Sequence, residues 1–272
     1  MANTIVRPEP QHALLDVGEL WRYRYLFLVL VWRTLKVRTQ QTVVGVAWTV
    51  LQPLILTALF TVIFSLLAGM PADGQPYPLF VLGGLLMWQF VAFSFQTASG
   101  SVVAEAHLIT RIYFPRILLL LAAIGAALFD LVCVLGLLVC FMIWYGVAPS
   151  VGVFAFVPAV LLAAATSFGL ALWLAALYVP YRDVGHLLPF MTQVWMFLSP
   201  VIYPLSLLPP KYEAVYALNP AVVAVQTSRW AFAGGPPPSA QMVWISTGVA
   251  LFLVVSGLWF FRRREGTFAD KV

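Results

Sequence analysis

Long apolar runs without charged residues are the feature that most restricts how this chain can fold. Residues 43–68 hold no charged side chain and are long enough for a tilted membrane-spanning helix, which needs about 20 apolar residues. Only 9% of the 272 residues are charged, against about 25% in soluble globular proteins. These features predict an all-α membrane protein whose residues 1–272 form a single transmembrane domain.

Further runs of the same kind follow, separated by short turns rich in glycine, proline or charged residues. We predict about six transmembrane helices in all. A proline-rich stretch before the last one is too polar for a full span and predicts two short re-entrant helices shielded by protein. The predicted spans are 43–68, 78–104, 117–145, 151–178, 185–203 and 240–261, and the re-entrant pieces are 210–218 and 219–232.

The stretch before the first span predicts an amphipathic helix that lies on the membrane surface. Its apolar run Tyr25–Trp32 is too short to cross a bilayer, and the cations around it suit the headgroup region. We therefore divide the chain into a cytoplasmic N-terminus with this interface helix (1–42), a membrane bundle (43–262) and a cytoplasmic tail (263–272).

The distribution of cations predicts the orientation. Of the 15 lysines and arginines, all but Lys211 and Arg229 fall in parts predicted to be cytoplasmic, as the preference for cytoplasmic cations requires. Both termini are therefore predicted in the cytoplasm. The excess of cations is explained by topology and by anionic membrane lipid, so no nucleic acid is expected as a partner.

Several function classes are not supported by the sequence. It contains no G-x-x-x-x-G-K-[ST] loop, so no nucleotide is expected to bind by that route. Asp130 is the one charged residue well inside a span, and one carboxylate is too few for a proton relay. Transport is then passive, or another protein supplies the energy. No catalytic residue and no metal site are predicted, since His12, His107 and His186 are scattered and no nucleophile motif occurs.

Short motifs along nearly the whole chain, in a fixed order, resemble those of one family. Most specific is Tyr181-Arg-Asp-Val184 followed by Ser199-Pro-Val-Ile-Tyr-Pro204. Together the motifs resemble ABC-2 type permeases that export polysaccharides, above all the membrane subunits for O-antigen, capsule and teichoic acid. The other motifs are Arg33-Thr-Leu-Lys36-Val-Arg38, Gly45-Val-Ala-Trp48, Leu51-Gln-Pro53-Leu54, Phe114-Pro115-Arg116, Tyr145-Gly146 and Asn219-Pro220.

The resemblance implies a half-transporter in the bacterial inner membrane. Two copies would form a channel, and two separate cytoplasmic ATPase subunits would bind ATP and Mg²⁺, so that this chain itself needs no cofactor. The substrate would be a polysaccharide on a polyprenyl diphosphate or similar lipid. Three alternatives stay open: an exporter of capsule or teichoic acid, an ABC-2 exporter of lipids or drugs, and a non-transporting scaffold of a glycan-synthesis complex.

With the resemblance in place, two cytoplasmic turns become candidate contacts with the ATPase. The turn after the second span ends a helix that is too long for the bilayer and would therefore protrude. The alternative is that both turns are ordinary charged loops set by topology. The predicted coupling residues are Glu105, His107, Leu108, Ile109 and Arg111 in the first turn and Tyr181, Arg182 and Asp183 in the second.

Three further groups of residues each have a functional and a structural interpretation. One group of cations binds a lipid diphosphate at a lateral entrance, or only anchors the chain. A set of aromatic residues contacts glycan in the conduit, or belongs to the interfacial belt and helix packing. Residues of the re-entrant region close the outer exit, or are surface groups. The groups are Arg33, Lys36 and Arg38; Trp88, Trp195 and Tyr203; and Lys211, Glu213, Asn219, Pro220 and Arg229.

Overall fold

The computed structural model describes residues 17–39, 45–266 and 268, and the side chains of residues 17, 38, 39 and 210 lie outside that description. Within these ranges the chain is helical, as predicted, with turns between the helices. The helices are α1 (Val17–Arg22), α2 (Arg24–Thr39), α3 (Ala47–Phe60), α4 (Tyr77–Ala104), α5 (Ala106–Ile109), α6 (Ile117–Tyr145), α7 (Val153–Tyr178), α8 (Val184–Phe197), α9 (Glu213–Tyr216), α10 (Pro220–Phe232) and α11 (Ala240–Glu265).

Among the described residues, five helical segments are long and apolar enough to cross a membrane. They are α3 with its π-helical continuation Thr61–Leu67, α4, α6, α7 and α11. All five coincide with predicted spans. The remaining predicted span, 185–203, contains α8, which has 14 residues and ends at Phe197. Pro200 explains this early end, because the residue before a proline avoids helical geometry and proline itself has no N–H to donate.

The long helices α4, α7 and α11 run in the same direction. Ser167 of α7 donates to the Val91 carbonyl of α4 at 3.2 Å, and further along both helices Gly100 faces Tyr178. In α7 and α11, Trp173 Nε1 donates to Ser256 Oγ at 3.2 Å. Parallel helices need returning segments between them, and α6 supplies the return between α4 and α7.

The return between α7 and α11 begins with α8. This helix starts beside the end of α7, where Gly185 contacts Tyr178. After α8 the chain reaches the opposite end of the bundle, where the Tyr77 hydroxyl at the start of α4 donates to the Ile202 carbonyl at 2.8 Å. Residues 184–202 therefore cover the distance between the two ends, although α8 alone does not.

The chain then turns back into the bundle before α11. The arm 205–218 consists of two short 3₁₀ turns and α9, and α10 runs outward again so that Phe232 packs edge-to-face on Phe156 near the start of α7. Nearly every residue of α10 is buried. The predicted re-entrant helix is thus present, and protein covers its backbone and polar side chains.

The interface helix α2 packs across α6. Phe27 and Val31 lie against Gly125, where an added Cβ would stand 2.9 Å from Val31 Cγ2. Its outward side exposes Tyr25, Leu28 and Trp32. The apolar residues are therefore divided between a face packed on α6 and an outward face, so the helix is less one-sided than a simple amphipathic pattern.

Candidate functional site

A groove of about 770 Å³ opens between α3, α4, α6 and α8 at the depth of the membrane-spanning segments. Its α4 wall repeats at helical spacing, so that one stripe of this helix faces the groove. Amides and aromatic rings alternate along the stripe, which holds Leu85, Trp88, Gln89, Ala92, Phe93 and Gln96. Gly45, in the turn before α3, and one stripe of α3 face it. The α3 stripe holds Trp48, Thr49, Gln52 and Leu56, and Asp130 and Met196 complete the lining.

Asp130 contributes a carboxyl group to this groove from α6. Thr49 Oγ1 at the start of α3 donates to Asp130 Oδ1 at 3.3 Å. The hydrogen bond is compatible with a role of Asp130 in packing α6 against α3. Its place in the groove lining is compatible with a contact to a bound molecule. Polar and ionisable groups inside membrane proteins usually face a pathway or a water-filled cavity.

Gln89 is a second polar residue in the groove wall. Its Nε2 atom is buried and has no hydrogen-bond acceptor among the described residues. Buried polar atoms normally have a partner, so this amide nitrogen is an exception that helix packing does not explain. Neither Gln89 nor Gln96 was selected by the sequence analysis, although their seven-residue spacing on one face was visible there.

Two of the three predicted conduit residues meet each other. Trp88 lines the groove, and its ring packs edge-to-face on Trp195 with 5.7 Å between the centroids. Trp195 lies on the far side of this wall and lines a second cavity of about 530 Å³. Tyr203 lines neither cavity, and its hydroxyl donates to the Phe197 carbonyl at 3.2 Å.

Asn219 holds the wall residue Trp195 in place. Asn219 Oδ1 accepts from Trp195 Nε1 at 2.9 Å and from the Ala221 N–H at 3.2 Å, so it also caps α10. Its Nδ2 atom donates to Ser199 Oγ at 2.9 Å. The structure thus joins Asn219, predicted at the outer exit, to a residue predicted in the conduit.

Arg229 is buried at the end of the bundle where α4 begins, so the interpretation as a surface group does not apply to it. Its side chain, 1% exposed, donates to the carbonyls of Phe80 at 3.1 Å, Val201 at 2.5 Å and Tyr203 at 3.4 Å. A Cβ on Gly84 would stand 2.7 Å from Arg229 Nη2, so glycine is needed there. Arg229 therefore ties α10 to α4 and to the segment after α8.

The other residues predicted at the outer exit range from exposed to buried. Lys211 is exposed, with its ammonium group 4.9 Å from the centre of the Tyr212 ring. Glu213 is half-buried at the start of α9, and Pro220 is buried at the first position of α10. The arm 205–218 is therefore the exposed half of the re-entrant hairpin, and α10 is its buried half.

The first predicted coupling turn lies at the cation-rich end of the bundle. Ile109 is buried in the main core, whereas His107 and Arg111 are exposed and Leu108 is half-buried. The turn is thus fixed to the bundle through Ile109, with Leu108 packed partly against the same core, and presents His107 and Arg111 outward. Glu105, at the break between α4 and α5, forms an ion pair with Arg33 Nη1 at 2.7 Å.

The second predicted coupling turn is exposed at the same end. Tyr181, Arg182 and Asp183 all lie at the surface, between the end of α7 and the start of α8. The Asp183 carbonyl accepts from the N–H groups of His186 and Leu187 and so begins α8. Either turn has side chains available for a protein partner.

The predicted lipid-headgroup residues all belong to α2. Arg33 and Lys36 are exposed one helical turn apart, and the side chain of Arg38 lies outside the described residues. The sequence analysis placed Arg33 among the lipid-headgroup residues and Glu105 in the first coupling turn. Their contact joins positions 72 residues apart, and no local pattern could reveal it.

Comparison with known proteins gives one family and a set of relatives. The sequence profile of a family described as "ABC-2 type transporter" matches residues 25–233, which include the groove, both turns and α10. The O-antigen export system permease protein RfbA of Myxococcus xanthus is 28% identical over 94% of this chain and 98% of its own length. Two proteins of the same name from Klebsiella pneumoniae are 25% and 24% identical over 90% of this chain and 94% of their length.

Proposed function

The chain belongs to the ABC-2 type transporter family, and on this premise we propose that it is the permease subunit of an ATP-driven exporter of lipid-linked polysaccharide. The substrate is of the O-antigen type. Three relatives named as O-antigen export permeases support this choice, because each matches at least 90% of the chain.

The groove between α3, α4 and α6 is the observation that carries the proposal. A polysaccharide presents many hydroxyl groups together with apolar C–H faces. The amides of Gln52, Gln89 and Gln96 can exchange hydrogen bonds with hydroxyls, and the rings of Trp48 and Trp88 can pack on C–H faces. This mixture of amides and rings suits a ligand that presents both hydroxyl groups and C–H faces, as a glycan does.

A separate ATPase supplies the energy in this proposal. The sequence has no phosphate-binding loop of its own. Two ATPase subunits bind at the cation-rich end, where the exposed side chains of His107, Arg111 and Tyr181 are available for contact. Cations mark the cytoplasmic side of membrane proteins, so both termini face the cytoplasm and the chain lies in the bacterial inner membrane.

A second copy of the chain completes the conduit. The groove is open on one side, where Trp48 is 53% exposed. Phe190 and Phe197 of α8 are also exposed aromatic residues. A homodimer places two grooves face to face and encloses a path wide enough for a polymer.

The lipid diphosphate of the substrate meets Arg33 and Lys36 on α2, since arginine binds phosphate through paired N–H groups.

The proposal is tested by purifying the chain together with an ABC-type ATPase from the same organism. We expect the two proteins to co-purify and ATP hydrolysis to rise when lipid-linked glycan is added. The double variant His107→Ala/Leu108→Ala is expected to insert normally but to lose this response. Arg263→Ala is the matched control, because Arg263 is exposed at the same end but lies outside both turns.

Three outcomes contradict parts of the proposal. An intact complex whose ATP hydrolysis does not respond to glycan favours the scaffold of a glycan-synthesis complex. Stimulation by phospholipid or drugs without stimulation by glycan favours an exporter of small lipids or drugs. A normal response in the His107→Ala/Leu108→Ala variant excludes the first turn as the coupling element.

A further inference from the structure

The ion pair between Arg33 and Glu105 connects the interface helix to the first coupling turn. Arg33 Nη1 lies 2.7 Å from Glu105 Oε2. Glu105 occupies the break between α4 and α5, and its carbonyl accepts from the N–H groups of Leu108 and Ile109. Any force on the Glu105 side chain therefore acts directly on the residue from which the turn starts.

Arg33 keeps binding capacity beyond this contact. Half of its side-chain surface is exposed, against 25% for Glu105. A guanidinium group has five N–H donors in a planar fork, and the contact with Glu105 involves one terminal nitrogen. The fork fits the geometry of a phosphate group, and Lys36 adds a second exposed cation three residues further along the same helix.

The surroundings of Arg33 are those of a membrane interface. Tyr25 and Trp32, on the outward side of α2, are 68% and 67% exposed. Aromatic rings and cations in this combination lie at the level of lipid headgroups. Arg33 is therefore within reach of two anions, a carboxylate of its own chain and the phosphates of the membrane.

We propose that the Arg33–Glu105 pair is a latch that a lipid phosphate opens. A phosphate bound by Arg33 and Lys36 draws the guanidinium away from Glu105 and releases the turn between α4 and α5. The exchange is feasible because ion pairs at exposed sites are weak, whereas anionic headgroups attract basic residues at the membrane surface. The inference rests on the proposed function for the task of this turn, and it adds a way in which arrival of cargo is signalled to the ATPase.

Two sources of lipid phosphate are separated by the test. Bulk anionic phospholipid and the diphosphate of a prenyl anchor carry the same group. We use phosphatidylglycerol as the probe for the first and farnesyl diphosphate as the probe for the second. Each is added to the full-length chain in phosphatidylcholine nanodiscs.

The readout is the distance between two spin labels measured by pulsed electron paramagnetic resonance. The labels are placed by Val29→Cys on α2 and His107→Cys on α5, both exposed positions. Cys133 and Cys140 are first changed to alanine so that only the new cysteines react. Labelled chain is diluted with unlabelled chain, so that distances between two copies do not contribute.

The latch predicts a different result for each variant. In phosphatidylcholine alone, whose phosphate is balanced by its own ammonium group, the unmodified pair gives one narrow distance distribution, and a second population forms when either anionic probe binds. Glu105→Gln shows the second population from the start. The exchanged pair Arg33→Glu/Glu105→Arg stays narrow, because its acid on α2 repels phosphate. Arg24→Gln removes one cation from the same helix without affecting the pair, and it responds as the unmodified chain does.

The outcomes are unambiguous. A response to farnesyl diphosphate alone identifies the prenyl anchor as the source, and a response to both probes identifies lipid phosphate in general. No response to either probe, a normal distribution for Glu105→Gln, or loss of the response in Arg24→Gln overturns the latch. The nanodiscs contain neither ATPase nor glycan, so failure of the proposed function in the hydrolysis assay is a separate result.

Discussion

The contact between α7 and α11 gives a prediction whose size follows from distances in the structure. Gly257 of α11 lies against α7, and a methyl group added to it would stand 2.7 Å from the Gly169 carbonyl oxygen. It would also stand 3.0 Å from Leu172 Cβ. Both atoms are fixed by the α7 backbone and cannot rotate away. Gly257→Ala therefore forces the two helices apart.

Two opposing contributions set the expected magnitude. Forcing a methyl group into a well-packed contact typically costs about 1–3 kcal/mol. Replacing glycine by alanine within a helix favours folding by about 1 kcal/mol. The net loss of stability for Gly257→Ala is therefore up to about 2 kcal/mol. For a domain approaching this size, each kcal/mol lowers the melting temperature by roughly 2–4 °C.

Gly248 provides a matched control in the same helix. An added Cβ at Gly248 meets no heavy atom within 4 Å, so Gly248→Ala has the gain in helix propensity without the clash. Thermal unfolding of the full-length chain is followed by tryptophan fluorescence in one detergent. We expect Gly257→Ala to unfold below the unmodified chain and Gly248→Ala at or above it.

The comparison of the two variants decides whether the reasoning is sound. They carry the same chemical change in the same helix, so effects of detergent on helix stability are shared. Equal melting temperatures for Gly257→Ala and Gly248→Ala would refute direct backbone contact between α7 and α11. A higher melting temperature for Gly257→Ala would refute it more strongly.

Substitutions at three other residues, Arg229, Asn219 and Asp130, test further contacts of the bundle. Arg229→Met leaves the Phe80 and Val201 carbonyls without a charged donor, which lowers the stability by about 1.5–3 kcal/mol for each lost hydrogen bond. We expect this variant to lose its monodisperse peak in size-exclusion chromatography. Asn219→Ala removes the acceptor for Trp195 Nε1 and the cap of α10, which alone is worth about 1 kcal/mol; its melting temperature should fall, and Asn219→Asp, which keeps the acceptor, should recover most of the loss. Asp130→Leu should reduce polysaccharide export more than Asp130→Asn, because asparagine still accepts from Thr49; equal export by both would exclude hydrogen bonding as the contribution of this residue.

Apolar runs and motifs predicted much of this fold. The long helices were recognisable because each corresponds to a long, almost uncharged run; in 117–145, for example, Asp130 is the one charged residue. Charged or proline-rich turns separate these runs. The re-entrant helix α10 was recognisable from Asn219-Pro220, which fits a cap followed by the first helical residue. In these cases the signal is local, so composition and spacing suffice.

The remaining features depend on contacts between distant parts of the chain. The sequence analysis placed Arg229 at the outer exit. Its burial depends on hydrogen bonds to carbonyls of α4 and of the segment after α8, which no local pattern reveals. The Arg33–Glu105 pair joins two motifs that gave no sign of each other. The sequence analysis selected aromatic residues for the conduit and did not select Gln89, which also lines the groove. The predicted sites on Arg33, His107 and Trp88 stay predictions until function is measured.

ATP-driven movement of glycan into a closed vesicle is the most direct test of the central claim. The chain and its ATPase are reconstituted with the nucleotide-binding side outward, and fluorescent lipid-linked polysaccharide is added with ATP to the outside. We predict that the polymer becomes protected from an added glycosidase, and that protection disappears when ATP is replaced by a non-hydrolysable analogue. Continued ATP hydrolysis by the intact complex without any protected polymer would contradict the claim.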